Sequence, residues 1–255
     1  MDDLRNYPLL VFAATFIMLW LAARIGALLR RRKGDPAEEL SQDYSIVLGA
    51  TLTLLGLVIG FTFSMATSRY DQRKNLEEAE ANAIGTEYVR ADLLPAVDAA
   101  KVKGLLKQYL DRRVLFYETR DEQQLVEIDA STAELQAALW SAVLAPATSQ
   151  PSPLAALAVG GMNDVLNAQG YTQAAWWNRI PAPSWALMAI TALCGSLLVG
   201  YGWRSAKDAT TLLLVLPLVI AIAFMLIADI DTPRHGLINV VPQNLVSLAE
   251  GLRRH

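Results

Sequence analysis

Residues 45–68 read SIVLGATLTLLGLVIGFTFSMATS and contain no charged side chain. The hydrocarbon core of a bilayer, about 30 Å thick, is crossed by about 20 apolar residues in helical conformation. Because backbone groups find no water inside lipid, a spanning segment of this kind must be a helix. The stretch therefore predicts a transmembrane helix and identifies the chain as an integral membrane protein.

Three other blocks are similarly long and apolar, at about residues 7–29, 182–203 and 209–228, and Arg24 is the one charged residue within them. The chain is 53% hydrophobic and only 18% charged, whereas soluble domains carry about 25% charged residues. We therefore predict an all-α integral membrane protein with four transmembrane helices and a helical extramembrane bundle inserted between the second and third spans. The predicted regions are a first transmembrane pair at 1–68, the helical domain at 69–179, a second transmembrane pair at 180–230 and a C-terminal tail at 231–255.

The inserted region has helical periodicity. No proline separates the second span from residues 69–94, so we predict one long helix that leaves the membrane and ends at Pro95. Further helices are predicted around 97–114, 122–144 and 154–169, with a proline-rich loop at 146–153. The expected core residues of the first and last of these helices are Val97, Leu105, Leu106, Tyr109, Leu110, Val114, Leu157, Met162, Val165 and Leu166.

Basic residues near the span ends predict the orientation. The two short loops are basic, through Arg30, Arg31, Arg32, Lys33, Arg204 and Lys207. Short cytoplasmic loops are enriched in Lys and Arg, so we place both loops in the cytoplasm of a bacterial cell. Arg69, Arg73 and Lys74 argue for the reverse, but they begin a long domain, whose charges count for less. Both termini and the helical domain are then predicted to be periplasmic or extracellular, with the spans in the inner membrane.

The second span carries a stripe of small residues at spacings of three or four, which places them on one helical face. They are Ser45, Gly49, Thr53, Gly56, Gly60 and Ser64. Small residues let helix backbones approach closely, so packing within or between subunits is one interpretation. The other is a pore lining, in which Phe61 and Phe63 form an apolar constriction.

Charges begin directly after this span, with Arg69, Asp71 and Arg73. One interpretation is a solvated helix stabilised by pairs four residues apart, such as Arg73 with Glu77. If several copies of the helix surround an axis, the same residues instead form rings of charge at a vestibule. The spans contain no deeply placed ionisable residue, which disfavours a proton-coupled or ion-coupled transporter.

No sequence pattern indicates an enzyme, a cofactor or a metal site. HExxH, CxxC and phosphate-binding loop motifs are absent from the sequence. Asp229, Asp231 and His235 are close enough in sequence to be weighed as metal ligands, but Asp231-Thr232-Pro233 is more typical of a helix-ending turn. A net charge of -3, without a broad basic surface, argues against a nucleic-acid partner.

Three segments of the chain resemble the bacterial bestrophin-like domain family. They read GFTFSMA and RYDQR within 60–73, EAEANAIGT and RADLLP within 78–95, and DIDTP and GLINV within 229–240. The resemblance implies a four-span membrane protein with an inserted helical region, akin to the bestrophins, which are pentameric anion channels. It assigns no bestrophin channel residue to a position in this sequence.

The sequence thus supports two hypotheses for a protein of the lipid bilayer. The first is a homo-oligomeric ion channel, with a pentamer as the stoichiometry that the resemblance implies, which conducts inorganic anions along the second span. The second is a non-conducting membrane scaffold or sensor whose helical domain binds a protein partner.

Overall fold

A computed structural model describes residues 6–32, 42–202 and 209–254. Within these residues the regular structure is entirely helical. Part of the predicted third span and part of the evidence for the predicted orientation lie outside the described residues. The residues concerned are Lys33, Trp203, Arg204 and Lys207. The helices are α1 (Pro8–Arg32), α2 (Gln42–Arg90), α3 (Ala96–Glu118), α4 (Glu122–Ser149), α5 (Pro153–Trp177), α6 (Ala182–Gly202), α7 (Ala209–Asp231) and α8 (Gln243–Arg253).

Four helical stretches of the described chain are long and apolar enough to cross a membrane, as predicted. Each predicted span falls on one of them. The stretches are Pro8–Arg32, Gln42–Leu93, Pro153–Gly202 and Leu214–Asp231.

The chain divides into two compact units. The span unit consists of Met1–Arg69 and Arg179–Asn239, and the helical unit consists of Tyr70–Asn178 and Val240–His255. Helix α2 contributes to both units because it continues without a break from Gln42 to Arg90. The C-terminal segment that contains α8 is part of the helical unit.

The long helix ends where Pro95 predicts. Helix α2 is followed by a single 3-10 turn, Ala91–Leu93, and Leu94 is extended at φ -90° and ψ 164°. A residue before proline is pushed out of the helical region by the proline ring. Pro95 then serves as the N-cap of α3.

In the span unit, α1 and α6 cross with their backbones in contact. A Cβ atom on Gly200 would overlap the carbonyl oxygen of Ala23, and one on Gly26 would overlap that of Leu197. Only glycine allows this approach. At the same end of the unit, Tyr44 donates a hydrogen bond to the carbonyl oxygen of Leu198.

The core of the helical unit is built around α3, but one residue of α3 that was predicted to belong to this core does not. Leu106, Tyr109 and Leu110 are buried, whereas Val97 is 83% exposed. At 3.6 residues per turn, Val97 lies about 200° around the helix from the buried Ala99, so the packed face of α3 excludes it. Leu105 and Val114 are half-buried at the border of this face.

The prolines near residue 150 make a shorter loop than predicted. Helix α4 continues through Pro146 to Ser149, and the hydroxyl of Thr148 donates to the carbonyl oxygens of Leu144 and Ala145 at 3.0 and 2.9 Å. Pro146 supplies no N–H of its own, but the chain around it stays helical, and the Thr148 hydroxyl adds bonds to the last turn. Only residues 150–152 are non-helical before α5 begins at Pro153, because proline is well suited to a first helical turn.

Helix α5 is longer than predicted and runs to Trp177. Met162 and Val165 are buried as predicted, and Leu166 is half-buried. Leu157, which was predicted to be in the core, is 53% exposed. The buried Ala158 and Met162 set the packed face of α5, and Leu157 lies about 100° away from Ala158 on the helix.

Candidate functional site

Within the span unit, α2 has one packed face and one bare face. Leu55, Thr62 and Ala66 are buried, and their spacing of seven and four residues places them on one side of the helix. Gly195 of α6 packs against this side, since a Cβ atom there would lie 3.3 Å from the Leu52 side chain. This face anchors α2 to its own chain.

All eight predicted pore-lining or packing residues are exposed on the single chain. A Cβ atom on Gly49, Gly56 or Gly60 would meet no atom within 4 Å. Packing inside one subunit therefore does not explain the glycines, and packing between subunits or a pore lining remain as interpretations. The exposed residues are Ser45, Gly49, Thr53, Gly56, Gly60, Phe61, Phe63 and Ser64.

The packed face of α2 becomes charged in the helical unit. Arg73, Glu77, Glu80 and Glu87 are each at most 1% exposed. The interpretation of this segment as a fully solvated helix is therefore wrong for these residues. Buried charges need partners because removing them from water costs several kcal/mol each, and three of the four side chains have hydrogen-bond partners described below.

Arg73 and Glu77 connect α2 to two other helices of this unit. Nε and Nη2 of Arg73 donate to the carbonyl oxygens of Ala175 and Asn178, at 3.3 and 3.4 Å. The carboxylate of Glu77 accepts from the backbone N–H of Leu245 at 2.9 Å and from Nδ2 of Asn244 at 2.7 Å. Glu77 thus satisfies the N-terminus of α8, where a negative charge also interacts favourably with the helix dipole.

Glu80 is the centre of a buried polar network. Its Oε1 accepts from Nε of Arg113, and its Oε2 lies 3.4 Å from Arg113 Nη2, 3.4 Å from the Tyr117 hydroxyl and 3.2 Å from the Thr172 hydroxyl. Burial alone would lower the pKa of Arg113, but the adjacent Glu80 carboxylate more than offsets this and raises it. Burial raises the pKa of Tyr117, and the charge of Glu80 raises it further. The guanidinium is therefore charged and Tyr117 is a neutral donor.

Glu87 differs from these residues because neither of its carboxylate oxygens has a hydrogen-bond partner among the described residues. Glu87 lies 19 residues beyond Ser68, about 28 Å along the helix, outside the uncharged span. Burial raises its pKa to about 8, against the opposing charge of Arg90. The side chain fits there because α5 has a glycine at the contact: a Cβ atom on Gly161 would overlap Oε2 of Glu87.

The three predicted vestibule residues have different environments. Asp71 is exposed and, seven residues beyond Ser64, lies on the continuation of the bare face. Arg69 is half-buried, five residues beyond Ser64 and so about 140° away from it. Arg73 is buried against Ala175 and Asn178. The helix therefore does not bring the three side chains to one face.

The segment after α7 is a turn, as predicted. Oδ1 and Oδ2 of Asp229 accept from the backbone N–H groups of Leu237 and Ile238, at 2.7 and 2.9 Å. Asp231 accepts from the N–H of Ile180 at 3.1 Å. Among the described residues, no three His, Cys, Asp or Glu side chains gather in a group that could hold a metal ion. These carboxylates satisfy backbone donors.

Sequence reasoning missed the buried charges. One signal was available, since Arg73, Glu77, Glu80 and Glu87 follow the buried Thr62 and Ala66 at spacings of three, four or seven residues, which keep them on one side of the helix. Their acidic and basic side chains obscured that spacing because apolar residues normally define a packed face. Nothing in the sequence near Glu80 indicates that its partner is Arg113.

Comparisons with known proteins find the same family along most of the chain. The bestrophin-like domain model matches residues 9–245. A crystal structure of a mutated bacterial bestrophin homologue from Klebsiella pneumoniae superposes with a TM-score of 0.67 at 16% identity, over 95% of this chain and 94% of that chain. A second structure of such a homologue gives 0.64 at 15% identity, over 95% and 96% of the two chains. No curated protein matches the sequence.

Proposed function

This chain belongs to the bestrophin-like domain family and is a multi-pass membrane protein, and on that premise we propose that it is a homo-oligomeric channel for inorganic anions. Bestrophins are anion channels, and their pentamer is the proposed stoichiometry. In this assembly α2 of each copy faces a common axis and lines the conducting path.

The bare face of α2 is the observation that carries the proposal. A face rich in Gly, Ser and Thr that contacts nothing in its own chain requires a second surface or a solvent. Thr53 and Ser64 offer hydroxyl donors to an anion, and residues 45–68 contain no carboxylate that would repel it. In the proposal Phe61 and Phe63 form an apolar constriction. Asp71 is the vestibule residue that faces the axis beyond the span, and because a ring of carboxylates attracts cations, the preference for anions has to come from the span itself.

We further propose that α2 leaves the bilayer after Ser68 and that the helical unit is extramembrane. A helix of 49 residues rises about 73 Å, more than twice the bilayer core of about 30 Å. Its uncharged part runs from Tyr44 to Ser68, and charged residues resume at Arg69. The basic loops favour a periplasmic helical unit, and this orientation stays a prediction.

The experiment that tests conduction uses the purified full-length chain in planar bilayers with a chloride gradient. We expect a current whose reversal potential follows chloride, a lower conductance for Gly56→Leu and an altered conductance for Phe61→Ala. Gly104→Leu is the matched control, since a Cβ atom on Gly104 also meets no atom within 4 Å but Gly104 lies in α3. No current from folded protein, across several ions and voltages, would contradict the proposal.

The alternative is a non-conducting scaffold or sensor, and exposed apolar side chains of the helical unit favour it. Val97, Val126 and Trp177 are each at least 70% exposed, and tryptophan in particular is enriched at protein interfaces. Under this alternative the axis of the oligomer is packed or filled with lipid. Val97→Asp would then release a partner protein without an effect on any current.

A further inference from the structure

The spans α1 and α6 touch at one end and separate towards the other. Their backbones meet near Gly26 and Gly200, but a groove of about 270 Å³ opens between them near Val11 and Trp185. Ala182, Ala186 and Ala189 leave this space because their side chains are single methyl groups at spacings of four and three residues. Phe224 of α7 closes the back of the groove.

The chemistry of the groove excludes water as a stable occupant. Its lining is almost entirely apolar, and apolar cavities stay dry because water needs two or more polar partners. An empty groove of this size would deprive its lining of dispersion contacts on one side. Because the groove opens along candidate membrane spans, the hydrocarbon available to fill it is a lipid acyl chain.

One polar atom at the groove lacks a partner. The indole Nε1 of Trp185 is buried and has no hydrogen-bond acceptor among the described residues, while its ring packs edge-on against Phe224 at 6.2 Å. Trp185 is the fourth residue of α6, about 5 Å along the helix. Tryptophan favours this depth, near the headgroups, where phospholipid esters also lie.

We propose that the groove is a binding site for one phospholipid, whose acyl chain lies along Ala186 and Ala189 and whose ester carbonyl accepts a hydrogen bond from Nε1 of Trp185. Among the described residues that line the groove, Nε1 of Trp185 is the one buried side-chain donor without a partner, and the hydrogen bond satisfies it. The acyl chain fills the space beside Ala182, Ala186 and Ala189 and supplies the dispersion contacts that an empty groove would lack.

Native mass spectrometry of the full-length chain, titrated with palmitoyl-oleoyl phosphatidylethanolamine, tests the site. We expect one retained lipid per subunit in the wild type. Ala186→Leu should weaken retention about tenfold, since the larger side chain displaces about two methylenes of lipid. Trp185→Phe should weaken it about fivefold through loss of the hydrogen bond. Cys194→Leu is the control, because Cys194 is exposed on the same span and does not line the groove.

Three results would overturn the proposal. The first is a wild-type protein that retains no lipid. The second is equal lipid retention in the wild type and in Trp185→Phe. This second comparison still tests the site if Ala186→Leu fails to fold. The third concerns a second copy of the chain as the occupant. Met18→Cys at the groove, in a Cys194→Ala background, would then form disulfide-linked dimers on oxidation, whereas a lipid-filled groove leaves this cysteine unpaired.

Discussion

Nε of Arg113 donates a hydrogen bond to Oε1 of Glu80, and neither side chain has any exposed surface. The pair connects α2 to α3, and Tyr117 and Thr172 add two hydroxyls to the same carboxylate. An ion pair in this position is costly to break because the remaining partner becomes an uncompensated buried charge.

Arg113→Met is therefore expected to lower the free energy of unfolding by about 3–5 kcal/mol. Denaturant unfolding of the purified protein in detergent, followed by circular dichroism, measures the change. Asp111→Asn is the matched control because it breaks an ion pair with Arg253 whose side chains are 53% and 68% exposed, and exposed pairs contribute at most about 1 kcal/mol. Equal losses in the two variants would contradict a buried role for Arg113.

Glu87 is expected to make the free energy of unfolding decrease as the pH rises, which is the opposite of the usual effect of a buried, paired carboxylate. Its pKa is about 8 in the folded chain, against an ordinary value of 4.5 for a glutamate side chain, so the folded state holds a proton that the unfolded state releases. Stability should then fall as pH rises from about 4.5 to about 8. The groups that face Glu87 are Arg90 on its own helix and Asp164 on α5.

Glu87→Gln should remove this pH dependence because glutamine cannot titrate. Unfolding curves at pH 5, 6, 7 and 8 provide the measurement, with the wild type losing stability across the series and the variant remaining flat by comparison. A wild type whose stability rises over this range, or a variant that keeps the full slope, would show that the carboxyl group is not the cause.

Gly200→Ala should destabilise the span unit. The added Cβ atom would overlap the Ala23 carbonyl oxygen, and backbone atoms cannot move aside as a flexible side chain can. We expect a loss of about 1–3 kcal/mol, typical of overpacking, seen as a lower thermal unfolding midpoint in detergent. Gly56→Ala is the control, since its Cβ atom meets nothing within 4 Å. An equal shift of the unfolding midpoint in both variants would contradict the close backbone contact between α1 and α6.

The predicted orientation is open to a labelling experiment. Gly104 is exposed in α3, so Gly104→Cys in a Cys194→Ala background places a single accessible thiol in the helical unit. A membrane-impermeant maleimide should label intact cells if the helical unit is periplasmic. Labelling only after lysis would reverse the orientation and leave the count of spans unchanged.

The spans and the length of α2 were predictable because few physical alternatives exist. A charge-free stretch such as 45–68 can cross a bilayer only as a helix, and no proline interrupts the chain until Pro95. Hydropathy and one proline therefore determine this part of the fold, and the family resemblance is confirmed over residues 9–245.

The polar interior of the helical unit was not predictable from local sequence. Whether Glu80 is solvated or buried depends on Arg113, which is 33 residues away and on another helix. Likewise, Pro146 lies inside α4 and does not end it. Sequence spacing gives the direction of a side chain, but its partner depends on packing between helices that are distant in sequence.

The bond between Glu77 and α8 has a practical consequence for anyone who shortens this protein. Leu245 is fully buried, and its backbone N–H donates a hydrogen bond to the Glu77 carboxylate. Truncation before Pro242 would remove both donors to that carboxylate, Leu245 N–H and Asn244 Nδ2, and would take the Leu245 side chain out of the hydrophobic core. Helix α8 is thus part of the helical unit and cannot be removed without loss of these contacts. An affinity tag should be added after the exposed Arg254 and should not replace any residue of α8.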